Sequence, residues 1–127
     1  MSRNLYGSRV QPSGGIELFA WYFMRVSAVV LLFMALFHYA VMHVFNTSAS
    51  INYQFVASRF GTPVWRAYDL VMLFLAMLHG MNGLRYVIDD YIHPKGWKLA
   101  AQTLLYFLTL VIVIFGATGI LMFNPKM

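Results

Sequence analysis

The 127-residue sequence predicts an all-α membrane protein with three transmembrane helices. Hydrophobic residues make up 61% of the chain and charged residues only 10%, whereas soluble domains have about 25% charged residues. Three apolar segments, at approximately 19–45, 64–91 and 98–123, are long enough to cross a hydrocarbon core about 30 Å thick. None of them alternates polar and apolar residues at the period of a strand. We therefore expect one membrane domain over residues 1–127.

The segments that join these helices are polar. Residues 1–18 contain Gly and Pro but no short apolar core with a cleavage site, so we expect a cytoplasmic tail against a soluble protein, not a secretory signal. Residues 46–62 form a loop with some amphipathic character, which predicts a short interfacial helix before Pro63. Proline suits the first turn of a helix because its missing N–H costs nothing there. A turn at 92–96 ends the second long helix.

The third long helix is predicted to be structural. It has no ionisable side chain between Lys98 and Lys126, and its Gly116 and Gly119 lie three residues apart. Three helices of this length bury little against one another. We therefore expect a chain that is stable only within a larger complex.

The charges indicate topology and not nucleic-acid binding, although the formal net charge is +5. More basic residues flank the N-terminus and the second loop than the opposite side, which predicts a cytoplasmic N-terminus. The two sets are Arg3, Arg9, Arg25, Arg85, Lys95 and Lys98 against Arg59, Arg66 and Lys126. Because the chain has no cysteine, it has no disulfide and no thiolate ligand for an iron–sulfur cluster.

A histidine within the second apolar segment is the first candidate functional residue. Intramembrane histidines are costly and by default mark a functional site. Beside His79, Gly80 and Gly83 leave room for a flat ring, and haem requires such clearance together with an axial imidazole nitrogen. Eleven residues, about 16 Å of helix, separate His79 from Asp90 and bring both onto nearly the same face. The alternative is a histidine that only hydrogen-bonds to a neighbouring helix.

The inner end of the bundle is predicted to hold a polar cluster. Asp89 and Asp90 lie at the negative end of the helix dipole, and this poor fit favours a partner or a function. Tyr91 is either an interfacial aromatic anchor or a hydrogen-bond donor to a quinone oxygen. Arg25 either extends to lipid phosphates, pairs with a haem propionate or polarises a quinone carbonyl.

Two histidines of the first helix cannot face one pocket, because five helical residues turn through a net angle of about 140°. His38 lies eleven residues after Ser27 and shares its face. His43 is closer to the polar exit at Asn46, which favours an interfacial histidine in contact with water or headgroups. His93 precedes a proline in a loop, where solvation is the simpler interpretation.

At this point the sequence resembles a known family. The motifs HGMNGLRYVIDDY at 79–91 and RVSAVVLL at 25–32 resemble the small hydrophobic membrane anchor, a b-type cytochrome, of succinate dehydrogenase, respiratory complex II. The resemblance covers nearly the whole chain. It implies half of a haem-binding helical bundle that a second anchor subunit completes.

The resemblance also implies roles for individual residues. His79 corresponds to an axial ligand of the iron of haem b. Tyr91, supported by Asp90, corresponds to residues that touch the quinone head. Arg25 matches an arginine near the haem propionates and the quinone pocket.

A looser resemblance concerns a second haem. The segment SAVVLLFMALFHY at 27–39 is similar to relatives that hold two haems, in which a histidine at this point ligates the second haem iron nearer the outer face. In this sequence that histidine is His38. The resemblance therefore implies one haem b at His79 and a second at His38.

The family implies partners that supply the missing chemistry. A flavoprotein subunit and an iron–sulfur subunit would oxidise succinate, as in the tricarboxylic acid cycle, and pass electrons to the quinone. The second anchor would supply the other imidazole of each haem. The chain would be catalytic only within this complex, in a bacterial or archaeal plasma membrane.

Other functions compete with this interpretation. One anchor serves both directions of the reaction, so an anchor of a quinol:fumarate reductase is the nearest alternative, followed by a haem-free structural anchor. Ubiquinone and menaquinone both fit these residues. A channel or transporter subunit lacks an obvious charged pathway and an inverted repeat. Anchors of unrelated cytochrome b complexes typically have more helices.

Overall fold

Three long helices and one short helix form the computed structural model, which describes residues 15–124. They are α1 (Ile16–Tyr39), which continues as a π-helical turn (Ala40–Val44), α2 (Tyr53–Phe60), α3 (Pro63–Tyr91) and α4 (Lys95–Met122). The described residues contain no strand. The three long helices are long and apolar enough to cross a membrane. The all-α membrane fold predicted from the sequence is therefore confirmed.

The first helix begins earlier than predicted. It starts at Ile16, so residues 16–18 belong to α1 and not to the N-terminal tail. The first turn of α1 carries an ion pair across the inner end of the bundle, in which Arg85 donates to both carboxylate oxygens of Glu17 at 3.1 and 3.2 Å. The rest of the predicted tail lies outside the described residues, and so does Lys126.

The outer end of α1 contains a feature that the sequence analysis did not predict. The backbone N–H of Phe45 donates to the carbonyl of Ala40 at 2.9 Å, which closes the π-helical turn. The amide of Asn46 donates to the carbonyl of Val41 at 2.7 Å and satisfies one of the exposed acceptors. π-Helical turns are rare and occur frequently at functional sites.

The short helix expected before Pro63 is α2. The Oδ1 atom of Asn52 accepts a hydrogen bond from the backbone N–H of Phe55 at 3.0 Å, which is an N-cap. Pro63 begins α3 directly after the extended residue Thr62. The short α2–α3 connection places α2 against the outer end of α3.

A single arginine ties the outer ends of three helices together. Arg66 of α3 donates from Nε to the carbonyl of Phe60 at the end of α2. Its Nη2 donates to the carbonyl of Phe123, just beyond α4, at 2.7 Å. These carbonyls have no helical partners of their own, so the guanidinium stabilises both helix ends.

Helix α3 lies between α1 and α4 and runs antiparallel to both. On the α1 side, the ring of Phe37 contacts Trp65 and Tyr68, with centroids 6.1 and 5.8 Å apart. On the α4 side, the ammonium of Lys98 lies 3.2 Å from the carboxylate of Asp89. Helix α3 therefore contacts α1 with one face and α4 with another.

The packing is polar inside and apolar outside. Among the described residues no hydrophobic side chain is fully buried. The four buried residues are all polar or charged, namely Ser27, Arg59, Asn82 and Thr109. In a membrane the apolar exterior faces lipid or another apolar protein surface, which agrees with a chain that needs a larger complex.

The contact between α3 and α4 yields a prediction about glycine. A Cβ at Gly116 would lie 2.8 Å from Cδ2 of Leu73, whereas a Cβ at Gly119 would meet nothing within 4 Å. We expect Gly116→Leu to lower the thermal unfolding midpoint of the detergent-purified complex, since overpacking costs about 1–3 kcal/mol. Gly119→Leu is the matched control, with a smaller expected shift. Equal shifts in the two variants would contradict this packing.

Candidate functional site

A polar contact in the middle of the α1–α3 interface joins Ser27 to His79. The Oγ atom of Ser27 lies 2.7 Å from Nδ1 of His79. Ser27 is only 2% exposed, and its hydroxyl also lies 2.6 Å from the carbonyl oxygen of Phe23 one turn earlier. The sequence analysis placed Ser27 on the face of His38 and did not predict this partner.

These two distances favour one tautomer of the neutral His79 ring. A serine hydroxyl has one hydrogen, and the contact with the Phe23 carbonyl requires it, because a carbonyl oxygen only accepts. With that hydrogen on the Phe23 carbonyl, the Oγ atom of Ser27 accepts from Nδ1–H of His79. The Nε2 atom of His79 is then the unprotonated nitrogen, with a lone pair that is available to a metal.

The depth of His79 suits a site in the middle of the membrane. Sixteen residues separate it from Pro63 and twelve from Tyr91, which correspond to about 24 and 18 Å along α3. Its side chain is half-buried. The ring is therefore far from both ends of the helix.

The two glycines beside His79 have different surroundings. A Cβ at Gly80 would meet nothing within 4 Å, so this position leaves open space. A Cβ at Gly83 would lie 3.5 Å from the methyl group of Met24. Gly83 therefore serves the packing of α3 on α1, whereas Gly80 lines a crevice against α4 together with Leu105 and Leu108, and not the α1 face that His79 contacts.

A second polar cluster lies nearer the outer face, and the sequence analysis predicted only one of its members. Arg59 of α2 donates from Nη2 to both carboxylate oxygens of Asp69 at 3.0 and 3.2 Å. Nδ1 of His38 lies 3.7 Å from Oδ1 of the same carboxylate. The side chains of Arg59, Asp69 and His38 are 6%, 11% and 32% exposed. His38 thus faces α3 and a buried ion pair.

These three residues line a cavity of about 440 Å³ between α1, α2 and α3. The rest of its wall is largely apolar and includes Met42 and Met72. Nδ1 of His38 and Nη1 of Arg59 are buried without a hydrogen-bond partner among the described residues. The cavity therefore combines an apolar wall with unsatisfied nitrogen atoms.

The contact between Ser27 and His79 shows that the two histidines lie at different depths. Since Ser27 is level with His79, His38 lies eleven residues of α1, or about 16 Å, further toward the outer face. The same difference in depth is found along α3. Asp69, which lies beside His38, is ten residues, or about 15 Å, from His79. The sequence alone separated the two levels only weakly.

The remaining histidines stay away from these clusters. His43 is exposed, with its ring centroid 4.9 Å from that of Tyr39. The π-helical turn directs Met42 and not His43 toward the cavity beside His38. His93 is exposed in the turn after α3.

The two aspartates at the inner end have separate environments. Asp89 accepts from the amide of Gln102 at 3.0 Å and pairs with Lys98 at 3.2 Å, which offsets its unfavourable position on the helix dipole. Asp90 is exposed and Tyr91 is 79% exposed. Asp90 and Tyr91 are therefore available to a ligand or to another subunit.

The structure does not bring Arg25 to the inner end of α3. Its guanidinium lies 4.1 Å from the ring centroid of Trp21, which is a cation–π contact. Arg25 lies two residues from Ser27, so it is within about 3 Å of the depth of His79. Tyr91 lies about 18 Å inward of His79 by the same helical rise.

A cleft of about 180 Å³ lies between α1 and α3 on the inner side of His79. Asn82 lines it and is buried; its Oδ1 accepts from Nε of Arg85 at 3.2 Å. Its Nδ2 has no hydrogen-bond partner among residues 15–124. This amide is a further functional candidate that the sequence analysis missed, although a buried asparagine in an apolar helix is a recognisable signal.

Asp69 was also missed, and its signal was equally visible. It is the one acidic residue within the apolar part of the second segment, and a carboxylate there indicates a function or a partner. Its partner Arg59 was counted only as a loop charge. Periodicity gave no indication that α2 folds back and brings this arginine to α3.

The described residues contain no group of three or more His, Cys, Asp or Glu side chains that could hold a bare metal ion. A haem makes a smaller demand, because its macrocycle supplies four nitrogens and the protein supplies only axial ligands. Single histidines at two depths, each with its Nδ1 toward an acceptor, fit that demand.

Three apolar helices with polar groups between them define the class, an integral membrane subunit. The model of the succinate dehydrogenase/fumarate reductase transmembrane subunit family matches residues 2–119. The chain therefore belongs to this family. Its members are membrane subunits of complexes that act on succinate or fumarate, so the chain's place is within such a complex.

The two arginine–carboxylate pairs yield a stability prediction. Removing one partner of a buried ion pair costs about 3–5 kcal/mol, because the other charge stays buried and unpaired. We expect Arg59→Met to lower the unfolding temperature of the purified complex markedly. Arg85→Met breaks a pair whose carboxylate is 55% exposed, so a smaller loss is expected. A larger loss in Arg85→Met would contradict the burial of the Arg59–Asp69 pair.

Proposed function

We propose that this chain is a membrane-anchor subunit of a succinate:quinone oxidoreductase. It holds haem b through His79, holds a second haem through His38, and contributes Tyr91 and Asp90 to the quinone site. The single observation that most supports the proposal is the hydrogen bond from His79 to Ser27, which leaves Nε2 free at mid-membrane depth.

This hydrogen bond fits an axial ligand for two reasons. Metal-bound histidines usually donate their other ring N–H to an acceptor, which fixes the tautomer and the ring orientation. Here the acceptor is the buried Ser27, itself held by the carbonyl of Phe23. When bound, the haem would supply reversible one-electron storage between the quinone and the iron–sulfur partner.

The other half of each haem site comes from a second anchor chain. A bis-histidine haem needs two imidazoles at one depth, and this chain offers one at each of two depths. The exposed apolar surfaces of α1 and α4 provide the contact area that a second set of helices requires. This is the arrangement that the family resemblance implies.

His38 is the proposed axial ligand of the outer haem. Its depth, about 16 Å beyond His79, separates the two irons enough for two flat rings. The cavity beside it is largely apolar and holds unsatisfied nitrogen atoms. His43 is the rival ligand, but it stacks on Tyr39 at the exposed surface.

The quinone site lies at the inner end of α3. Tyr91 presents a phenolic O–H that can donate to a quinone oxygen, and Asp90 lies beside it at the water interface. Quinone reduction needs protons as well as electrons, and a carboxylate in contact with water can supply them. Both side chains are exposed in this chain alone, as expected for residues that meet a ligand between subunits.

Arg25 has two proposed roles, and its depth favours one of them. It lies within about 3 Å of the level of His79 but about 15 Å from that of Tyr91. A haem propionate at the edge of the inner haem is therefore the better partner for its guanidinium than a quinone held by Tyr91.

The orientation proposal places the N-terminus in the cytoplasm. The outer basic residues Arg59 and Arg66 are both engaged inside the fold, one with Asp69 and one with helix-end carbonyls. Basic residues of the sequence nevertheless flank the inner side in greater number, six against three, in accord with the positive-inside rule. The flavoprotein and iron–sulfur subunits would dock on that side, in a bacterial or archaeal plasma membrane.

Histidine variants test the haem assignment. We expect His79→Leu and His38→Leu each to remove one haem, or convert its low-spin spectrum, because each loses one axial nitrogen. Absorbance spectra and haem content of the purified complex measure this. His43→Leu is the matched control and should retain both haems. A full haem complement in His79→Leu would contradict the proposal. Loss of a haem in His43→Leu but not in His38→Leu would mean that His43, and not His38, is the axial ligand of the outer haem.

A tyrosine variant tests the quinone site. Tyr91→Phe removes only the phenolic O–H, so we expect it to impair succinate-dependent quinone reduction. Succinate oxidation by a soluble artificial acceptor should be unchanged, because that reaction ends on the soluble subunits. Tyr86→Phe, on the same helix, is the control. Equal loss of both activities in Tyr91→Phe would indicate defective assembly and not a quinone contact.

A further inference from the structure

The buried ion pair beside His38 has no role in the function proposed so far. Arg59 and Asp69 are 6% and 11% exposed, and they belong to different helices. The carboxylate receives both contacts from Nη2 of Arg59, at 3.0 and 3.2 Å. Its Oδ1 is also the atom nearest to Nδ1 of His38, at 3.7 Å.

A purely structural role explains this pair poorly. Removing two charges from water is costly, and replacing a buried ion pair by apolar residues is often neutral or stabilising. The α2–α3 contact already has the hydrogen bond from Arg66 to the carbonyl of Phe60. In addition, His38 Nδ1 and Arg59 Nη1 remain buried without a hydrogen-bond partner among the described residues, whereas a structural network normally satisfies its members.

The geometry fits a histidine that becomes fully oriented when its other nitrogen is bound. A charge-assisted hydrogen bond to a carboxylate has a length of about 2.7–2.9 Å. The present 3.7 Å needs a movement of about 1 Å, within the reach of a side-chain rotation. Each oxygen of Asp69 retains acceptor capacity beside its contact with Arg59.

We infer that Asp69, held in place by Arg59, is the positioning residue for His38 as an axial ligand, an inference that rests on the proposed function. Asp69 accepts from Nδ1–H of His38 and thereby leaves Nε2 for the iron. Arg59 keeps the carboxylate in its orientation. The Nη1 atom of Arg59 has no hydrogen-bond partner among the described residues, so it is left to donate to a carboxylate of a ligand bound in the cavity that Arg59 lines.

The two histidines then differ in the charge of their supporting acceptors. His79 donates to the neutral hydroxyl of Ser27, whereas His38 has a carboxylate. A carboxylate raises the basicity of a ligating imidazole more than a neutral acceptor does, and a stronger donor stabilises the ferric state. The outer haem should therefore have the lower reduction potential of the two.

The test is a redox titration of haem absorbance in the purified complex, together with its haem content. We expect Asp69→Asn to shift the lower-potential haem to a more positive potential, or to lose that haem, while the other potential stays unchanged. Asp69→Glu should restore the wild-type behaviour at least in part. Ser27→Ala is the matched control and should move only the higher-potential haem.

A double variant separates positioning from folding. Because Asp69→Asn leaves Arg59 as an unpaired buried cation, Arg59→Gln/Asp69→Asn removes both charges at once. If the double variant assembles with two haems and the lower potential is still raised, the inference is supported. If it assembles with both potentials unchanged, the pair is only structural and the inference is wrong, while the proposed function stands. A single haem in the wild-type complex would overturn both.

Discussion

The hydrogen bond between Ser27 and His79 is the interaction on which the rest of the structure depends. It joins α1 to α3 at the most buried side chain that the structure describes. Together with the Arg85–Glu17 pair at the inner end, it fixes the relative depth of the residues on the two helices. It also favours the tautomer of His79 in which Nε2 carries no hydrogen. The separation of the two histidine levels and the inner position of Tyr91 both follow from these contacts.

The distribution of polarity explains why the chain belongs in a complex. The buried positions are polar and the apolar side chains face outward, which is the reverse of a soluble domain and suits a bilayer. In the proposed function, these polar groups each provide only half of a site. One imidazole lies at each depth, and one tyrosine and one carboxylate lie at the inner end. Membership of the succinate dehydrogenase/fumarate reductase transmembrane subunit family accounts for this incompleteness, because these subunits act in assemblies.

Much of the fold was predictable from the sequence, because helix length and apolar composition are local properties. The three long helices and the short helix before Pro63 both follow from them. The partner of Ser27 did not follow, since periodicity gives the face of a residue on its own helix but not the register between helices. For the same reason, the pairing of Arg59 with Asp69 could not be predicted, because it requires α2 to fold back against α3. The depth of Arg25 relative to Tyr91 also depends on that register.

The central claim is that this chain supplies one axial nitrogen at each of two depths. The most direct measurement is the haem b content per iron–sulfur subunit in the wild-type complex, purified with its partner anchor. The account predicts two haems, both low-spin with bis-histidine ligation. A complex that is fully assembled and active toward quinone but contains no haem, or only one, would contradict it.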